Sequence, residues 1–315
     1  AERELAVYLP HGYEEATEPY VVLWDLAAYT NAGPGHLNWR NHGENLAQRL
    51  DRLIGSGEMD PVVAVVPDCY TSLAGNQYVN SPSVGMYADY LVEELVPLVS
   101  AEFNVVDGRE GRALFGKSSG GYGAIYHSMV YPQTWGAAAS HAGDMGFDLL
   151  FRGDFPIASS MLSPLKGDCE AFIRSFWRKK RPAGRDFMTM MLIAMAASYD
   201  PDPKAPDKIR LPFDLRTCEV DEERWANWRA FDPLEMVADH IEALKSLRGL
   251  YIDVGMYDQY NIQYGTRRFT DELIRLGVEH HYEEFEGTHS GIDWRLDHSL
   301  PFLVNALKTG QGKSI

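Results

Sequence analysis

The chain alternates between short, nearly continuous apolar runs and longer amphipathic segments, the pattern of buried parallel strands joined by helices. Glu4-Leu5-Ala6-Val7-Tyr8-Leu9-Pro10, Tyr20-Val21-Val22-Leu23-Trp24 and Pro61-Val62-Val63-Ala64-Val65-Val66 predict three strands. A helix is predicted from Asn41 to Ile54, stopped by Gly55, and a second where Tyr87, Leu91, Leu95 and Leu98 recur at helical spacing. Arg112-Ala113-Leu114-Phe115 reads as a strand, Gly121 to Val130 as a helix ending before Pro132, and Trp135 to Ser140 as the next strand. The alternation then fails. From Gly146 to Ala230 the chain holds helical pieces rich in Met and aromatic residues, broken at Asp200-Pro201-Asp202-Pro203 and Ala205-Pro206. It resumes with a strand at Gly249 to Gly255, a helix at Thr266 to Leu276, a strand at His280 to Phe285 and a last helix ending near Lys308. The expected fold is α/β: a mostly parallel twisted sheet with helices on both faces, built from residues 1–145 and 231–315 and interrupted by a mainly helical cap at 146–230.

Between the strand at 112–115 and the helix after it lies Gly116-Lys117-Ser118-Ser119-Gly120. A serine with glycine at minus two and plus two, on a strand-to-helix turn, is the nucleophile elbow of an α/β-hydrolase. The turn is tight enough that side chains at both flanks would collide, and it lifts the hydroxyl above the sheet at a helix N-terminus. Ser119 has Lys117 two residues before it, so Ser118 is the predicted nucleophile and Ser119 a backbone N–H donor.

A serine hydroxyl needs a base, and the base needs a group to orient it. In this fold the order is Ser, acid, His, with both partners on loops at strand C-termini. Of ten histidines, only His289, in Glu286-Gly287-Thr288-His289-Ser290-Gly291, directly follows the last strand. Asp258, in the loop after Val254-Gly255, is the expected acid. Asp253 sits within the strand end and reads as structural, and Asp293 and Asp297 as part of the last helix. The oxyanion donors are expected to be the N–H groups of Ser119 and of Ala27, the latter in the loop after the Tyr20–Trp24 strand.

Bulk properties narrow the function. The 315 residues carry a net charge of −16 with no extended basic cluster, which disfavours nucleic acid as a partner. No apolar run approaches a membrane span. Cys69, Cys169 and Cys218 are too few for a disulfide framework or zinc site and read as buried free thiols, with a Cys169–Cys218 bridge left open. No leader-like segment is present and a cytoplasmic location is favoured; Ala1 stands just before a strand, so secretion behind a removed leader stays open. Oligomeric state is not readable.

At this point the chain resembles the esterase family of α/β-hydrolases that includes esterase D-type S-formylglutathione hydrolases, enterochelin and feruloyl esterases and mycolyltransferases. Val7-Tyr8-Leu9-Pro10-His11-Gly12-Tyr13 is similar to the family's opening strand, and Glu93-Glu94-Leu95-Val96-Pro97 to its helix before the elbow. Phe231-Asp232-Pro233-Leu234 is similar to the return from the cap, Gly255 to Tyr260 to the acid loop, and Gly287 to Trp294 to the His loop. One departure stands out: where the family has a polar residue then Gly after the oxyanion strand, this chain has Asp25-Leu26. The cap helix Phe187 to Met195 is apolar nearly all round, which fits a buried helix or a Met-lined acyl pocket.

The expected activity is that of a serine carboxylesterase acting on a small-molecule ester through an acyl-enzyme, with no metal or organic cofactor. The rivals are an acyltransferase of the same fold and a catalytically silent hydrolase-fold binding module.

Overall fold

The computed structural model describes residues 2–205 and 208–310, so Pro206 of the predicted break lies outside the described residues. Seven strands form one sheet: β1 (Leu5–Tyr8), β2 (Val22–Leu26), β3 (Val63–Pro67), β4 (Arg112–Lys117), β5 (Ala137–His141), β6 (Gly249–Gly255) and β7 (His281–Phe285). Their order is β1-β3-β2-β4-β5-β6-β7. Only the β1–β3 pair is antiparallel.

The central strands β2 to β6 are buried almost throughout because both faces are covered, whereas the edge strands β1 and β7 are half-buried and β7 carries Glu283 and Glu284. Along β2, Val22, Trp24 and Leu26 pack on the same face as the elbow helix α3 (Ser119–Val130) and α8 (Ile262–Leu276), while Leu23 turns to the face covered by α1 (Leu46–Gly55) and α9 (Leu296–Thr309). A helical stretch from Tyr87 to Glu102, which includes α2 (Val96–Glu102), joins the first face.

Helix α1 begins five residues later than its pattern predicts. Gly43 at φ +78° breaks the helical path, and Asn45 then caps the start: its side chain accepts from Gln48 N at 2.9 Å, and the Gln48 side chain accepts from Asn45 N at 3.0 Å.

Between β5 and β6 lie α4 (Phe155–Leu162), α5 (Cys169–Arg178), α6 (Gly184–Tyr199) and α7 (Glu222–Arg229). They share an apolar core in which Phe155, Phe172, Met190, Ile193, Trp225 and Trp228 are buried. Helix α6 divides between the two surroundings: Met190, Leu192, Ile193 and Met195 are buried, while Phe187, Met188 and Met191 border a cavity. Trp177 on α5 donates from Nε1 to the Ser72 carbonyl at 2.7 Å, tying this layer to the loop after β3. All three cysteines are free thiols, so no Cys169–Cys218 bridge forms.

Candidate active site

The elbow holds its serine in a conformation that only close packing enforces. Ser118 has φ 56° and ψ −124°, a backbone state costing about 1–3 kcal/mol for a residue with a side chain. The cause lies in its flanks. A Cβ on Gly120 would stand 1.8 Å from the Leu26 carbonyl oxygen, and one on Gly116 2.5 Å from the same atom. Ser118 N donates to the His141 carbonyl at 2.9 Å, and Ser119 opens α3, where its own N–H has no intrahelical acceptor.

The acid and histidine loops are zipped together. Met256 N donates to Phe285 O and Tyr257 N to Gly287 O, both at 2.9 Å. Gly255 must be glycine for this approach, since a Cβ there would lie 2.6 Å from the Gly287 carbonyl oxygen. The result places His289 Nδ1 2.7 Å from Asp258 Oδ2, with Asp258 buried and its other oxygen accepting from Tyr260 N at 2.9 Å. Tyr260 meets the imidazole edge-on at 4.9 Å between centroids, and the Gln259 side chain accepts from His289 N at 3.0 Å. With its Nδ1–H donated to Asp258, the ring keeps a lone pair on Nε2.

Ser118 and His289 line one cavity of about 780 Å³. Leu150, Phe151, Phe176, Phe187, Met188 and Met191 give it a largely apolar wall, bordered by Lys179, which pairs with Asp186. The Ser118 hydroxyl does not hydrogen-bond His289; it donates to Asp144 Oδ1 at 3.4 Å. Asp144, three residues beyond β5, also accepts from Ser119 Oγ at 3.3 Å. Ser119 Oγ accepts in turn from Gln77 Nε2 at 2.7 Å, and Gln77 Oε1 from the Tyr199 hydroxyl at 3.1 Å. Burial pushes the Asp144 carboxyl up to about 6. Sequence patterning gave no signal for Asp144 beyond its place after a strand C-terminus, where ligands of open α/β sheets gather.

A second Ser–His–Asp chain runs beneath the sheet's rim. His141 Nδ1 lies 2.7 Å from Asp253 Oδ1 and its Nε2 2.8 Å from Ser299 Oγ, while Arg295 Nε donates to Asp253 Oδ2 at 2.7 Å. All four side chains are buried, as the structural reading of Asp253 expects.

A family model described as "Putative esterase" matches residues 1–299. The chain belongs to this esterase family. Solved structures agree in fold. A ferulic acid esterase is 19% identical with a TM-score of 0.64, covering 97% of this chain and 93% of its own. An S-formylglutathione hydrolase from Staphylococcus aureus is 14% identical at a TM-score of 0.58, with 96% and 93% covered. A ferulic acid esterase from Anaeromyces mucronatus, in complex with ferulic acid, is 18% identical at 0.52, with 98% and 85% covered. The sheet and helices are therefore an α/β-hydrolase fold, and the protein is a carboxylic ester hydrolase.

Leu26, which the sequence singles out in the loop after the second strand, is accommodated by α3 of this esterase. Leu26 remains an ordinary strand residue paired with Gly116, with no positive φ, and its side chain is wholly buried. Gly123 makes the room: a Cβ there would lie 3.0 Å from Leu26 Cδ1. Ala27 is buried, and its carbonyl accepts from the Tyr78 hydroxyl at 2.6 Å. The cavity wall at this loop runs from Ala28 to Asn31, one residue beyond Ala27. Among the described residues, no helix of the esterase is long and apolar enough to cross a membrane.

Proposed function

We propose that the esterase hydrolyses a carboxylic ester through an acyl-enzyme on Ser118, with His289 as general base and Asp258 as its orienting acid. The observation that carries this reading is a strained serine opening onto the same cavity as an imidazole whose Nδ1–H is held by a buried carboxylate. The Ser118 oxygen attacks the ester carbonyl carbon, and its proton passes to His289 Nε2. Asp258 stabilises the imidazolium that forms. The N–H groups of Ser119 and Ala27 receive the oxyanion, collapse expels the alcohol with the proton from Nε2, and water repeats the sequence to release the acid.

The test is labelling with a fluorophosphonate probe followed by peptide mapping. An adduct on Ser118 that Ser118→Ala abolishes supports the reading, together with a loss of several orders of magnitude in kcat/KM on aryl esters. A folded wild-type protein that takes no label, or a Ser118→Ala variant with near-wild-type hydrolysis, overturns it.

A further inference from the structure

Resting on that reading, the geometry points to Asp144 as a specificity-determining residue whose carboxylate receives an ammonium group carried by the ester substrate close to its scissile carbonyl. Asp144 is 5% exposed and lines the cavity beside Ser118, Ser119 and His289. An ionised carboxylate has about four acceptor positions. Here two are used, by hydroxyl contacts at 3.4 and 3.3 Å, and among the described residues no lysine or arginine forms an ion pair with it. A buried anion with so few partners costs free energy that a ligand can return.

Its position makes the sign of that ligand definite. A bare carboxylate 3.4 Å from the nucleophile's oxygen opposes the negative charge that develops on the carbonyl oxygen during attack. A positive group brought by the substrate satisfies Asp144 and removes this opposition. A neutral hydroxyl would do only the first. Contact distance limits its place to a few bonds from the carbonyl carbon, on either the acyl or the alcohol side. The largely apolar wall accepts the rest of such a molecule, and the chain's net charge of −16 draws cations toward it.

The titratable groups facing Asp144 are His289, Asp258 and Tyr260 from the acid and histidine loops, Tyr122 from α3 and Tyr199 from α6, and Lys117 shares the cavity wall. These groups act on each substrate alike in wild type and in Asp144→Asn, so comparing the within-pair ratio between the two proteins isolates the carboxylate. Two isosteric pairs serve. On the acyl side, methyl 3-(dimethylamino)propanoate is compared with methyl 4-methylpentanoate. On the alcohol side, 2-(dimethylamino)ethyl butyrate is compared with 3-methylbutyl butyrate.

The quantity read is the ratio of kcat/KM within a pair, divided by the same ratio for Asp144→Asn, so that intrinsic ester reactivity cancels. We expect this double ratio to exceed about tenfold at pH 7.5 for at least one pair, the size of a charge-assisted contact. Which pair shows it assigns the ammonium to the acyl or alcohol side. In the wild type alone, the within-pair preference should fall as pH is lowered through about 6, a readout that needs no variant. A double ratio near one for both pairs, or a preference unchanged across that pH range, overturns the proposal. Fluorophosphonate labelling keeps the two readings apart: label on Ser118 without ammonium preference refutes only the role of Asp144, whereas absence of label refutes the serine mechanism itself.

Discussion

Gly120→Ala probes the site through a single methyl group. The new Cβ would stand 1.8 Å from the Leu26 carbonyl oxygen, 2.7 Å from its carbon and 3.1 Å from the Ala27 oxygen. Real Cβ contacts begin near 3.0 Å, so two backbones must part by about 1.2 Å (3.0 − 1.8). Neither yields easily. Leu26 is held in register with Gly116, and Gly120 lies in the first turn of α3. Overpacking of this kind costs about 1–3 kcal/mol, and with backbone on both sides the upper end is expected, lowering the thermal midpoint by roughly 5 °C. The activity loss should be larger in proportion. Parting β2 from α3 shifts Ala27 and the Ala28–Asn31 wall by about 1 Å, a misplacement worth about 10²-fold in rate. The assay is kcat/KM on an aryl ester, normalised to the fraction of protein that a fluorophosphonate labels, beside a melting curve. Gly123→Ala, which meets the Tyr78 ring at 2.6 Å and Leu26 Cδ1 at 3.0 Å, should fall between, because side chains can give way. Gly35→Ala, with open space around it, should be silent. A Gly120→Ala protein with unchanged melting and turnover would refute the idea that this contact sets the elbow.

Asp258→Asn removes the group that fixes the His289 tautomer while keeping its shape, so kcat should drop by about 10³–10⁴ with little change in melting; a drop below tenfold on aryl esters would count against Asp258 as the acid. Asp253→Asn should do the opposite, leaving the buried Arg295 guanidinium without one of its anions and costing about 3–5 kcal/mol by urea unfolding, while folded protein still labels at Ser118. Asp144 gives a pH signature. Its folded carboxyl titrates near 6 against an ordinary 3.8, so the folded state binds the extra proton between those values and wild-type stability falls as pH rises through them. Asn cannot ionise, so Asp144→Asn should be the more stable protein at pH 8, by roughly 3 kcal/mol, with the gap closing by pH 4; equal urea midpoints at pH 8 would contradict the burial cost.

The sheet was legible wherever punctuation bracketed an apolar run. Strand β6 runs from Gly249 to Gly255 as its sequence predicts, because glycines stand at both limits. Boundaries without punctuation drifted. Strand β5 begins at Ala137, two residues past Trp135, and α8 begins at Ile262, a turn ahead of Thr266, because Asn261 takes a left-handed conformation that no apolar period reveals. At the site, chain order and strand-end position selected Ser118, Asp258 and His289 from the sequence, and the structure brings Asp258 to His289 while leaving the Ser118 hydroxyl on Asp144. Asp144 could not have been read. Its setting depends on Gln77 and Tyr199, which are distant in sequence and join it in one hydrogen-bond chain through Ser119. The same holds for Leu26, whose bulk is offset by an absent side chain at Gly123 across the helix interface.

The buried chain through Ser299, His141 and Asp253 is a decoy with better manners than the proposed site. Its two hydrogen bonds are shorter than the one Ser118 makes, and its imidazole already touches its hydroxyl. Yet Ser299 sits inside a regular helix turn with no exposed surface, so no carbonyl carbon can approach it. A template that scores interatomic spacing alone would nominate that serine first. What separates an engine from a girder here is an unrelaxed backbone and a vacancy large enough for a reactant.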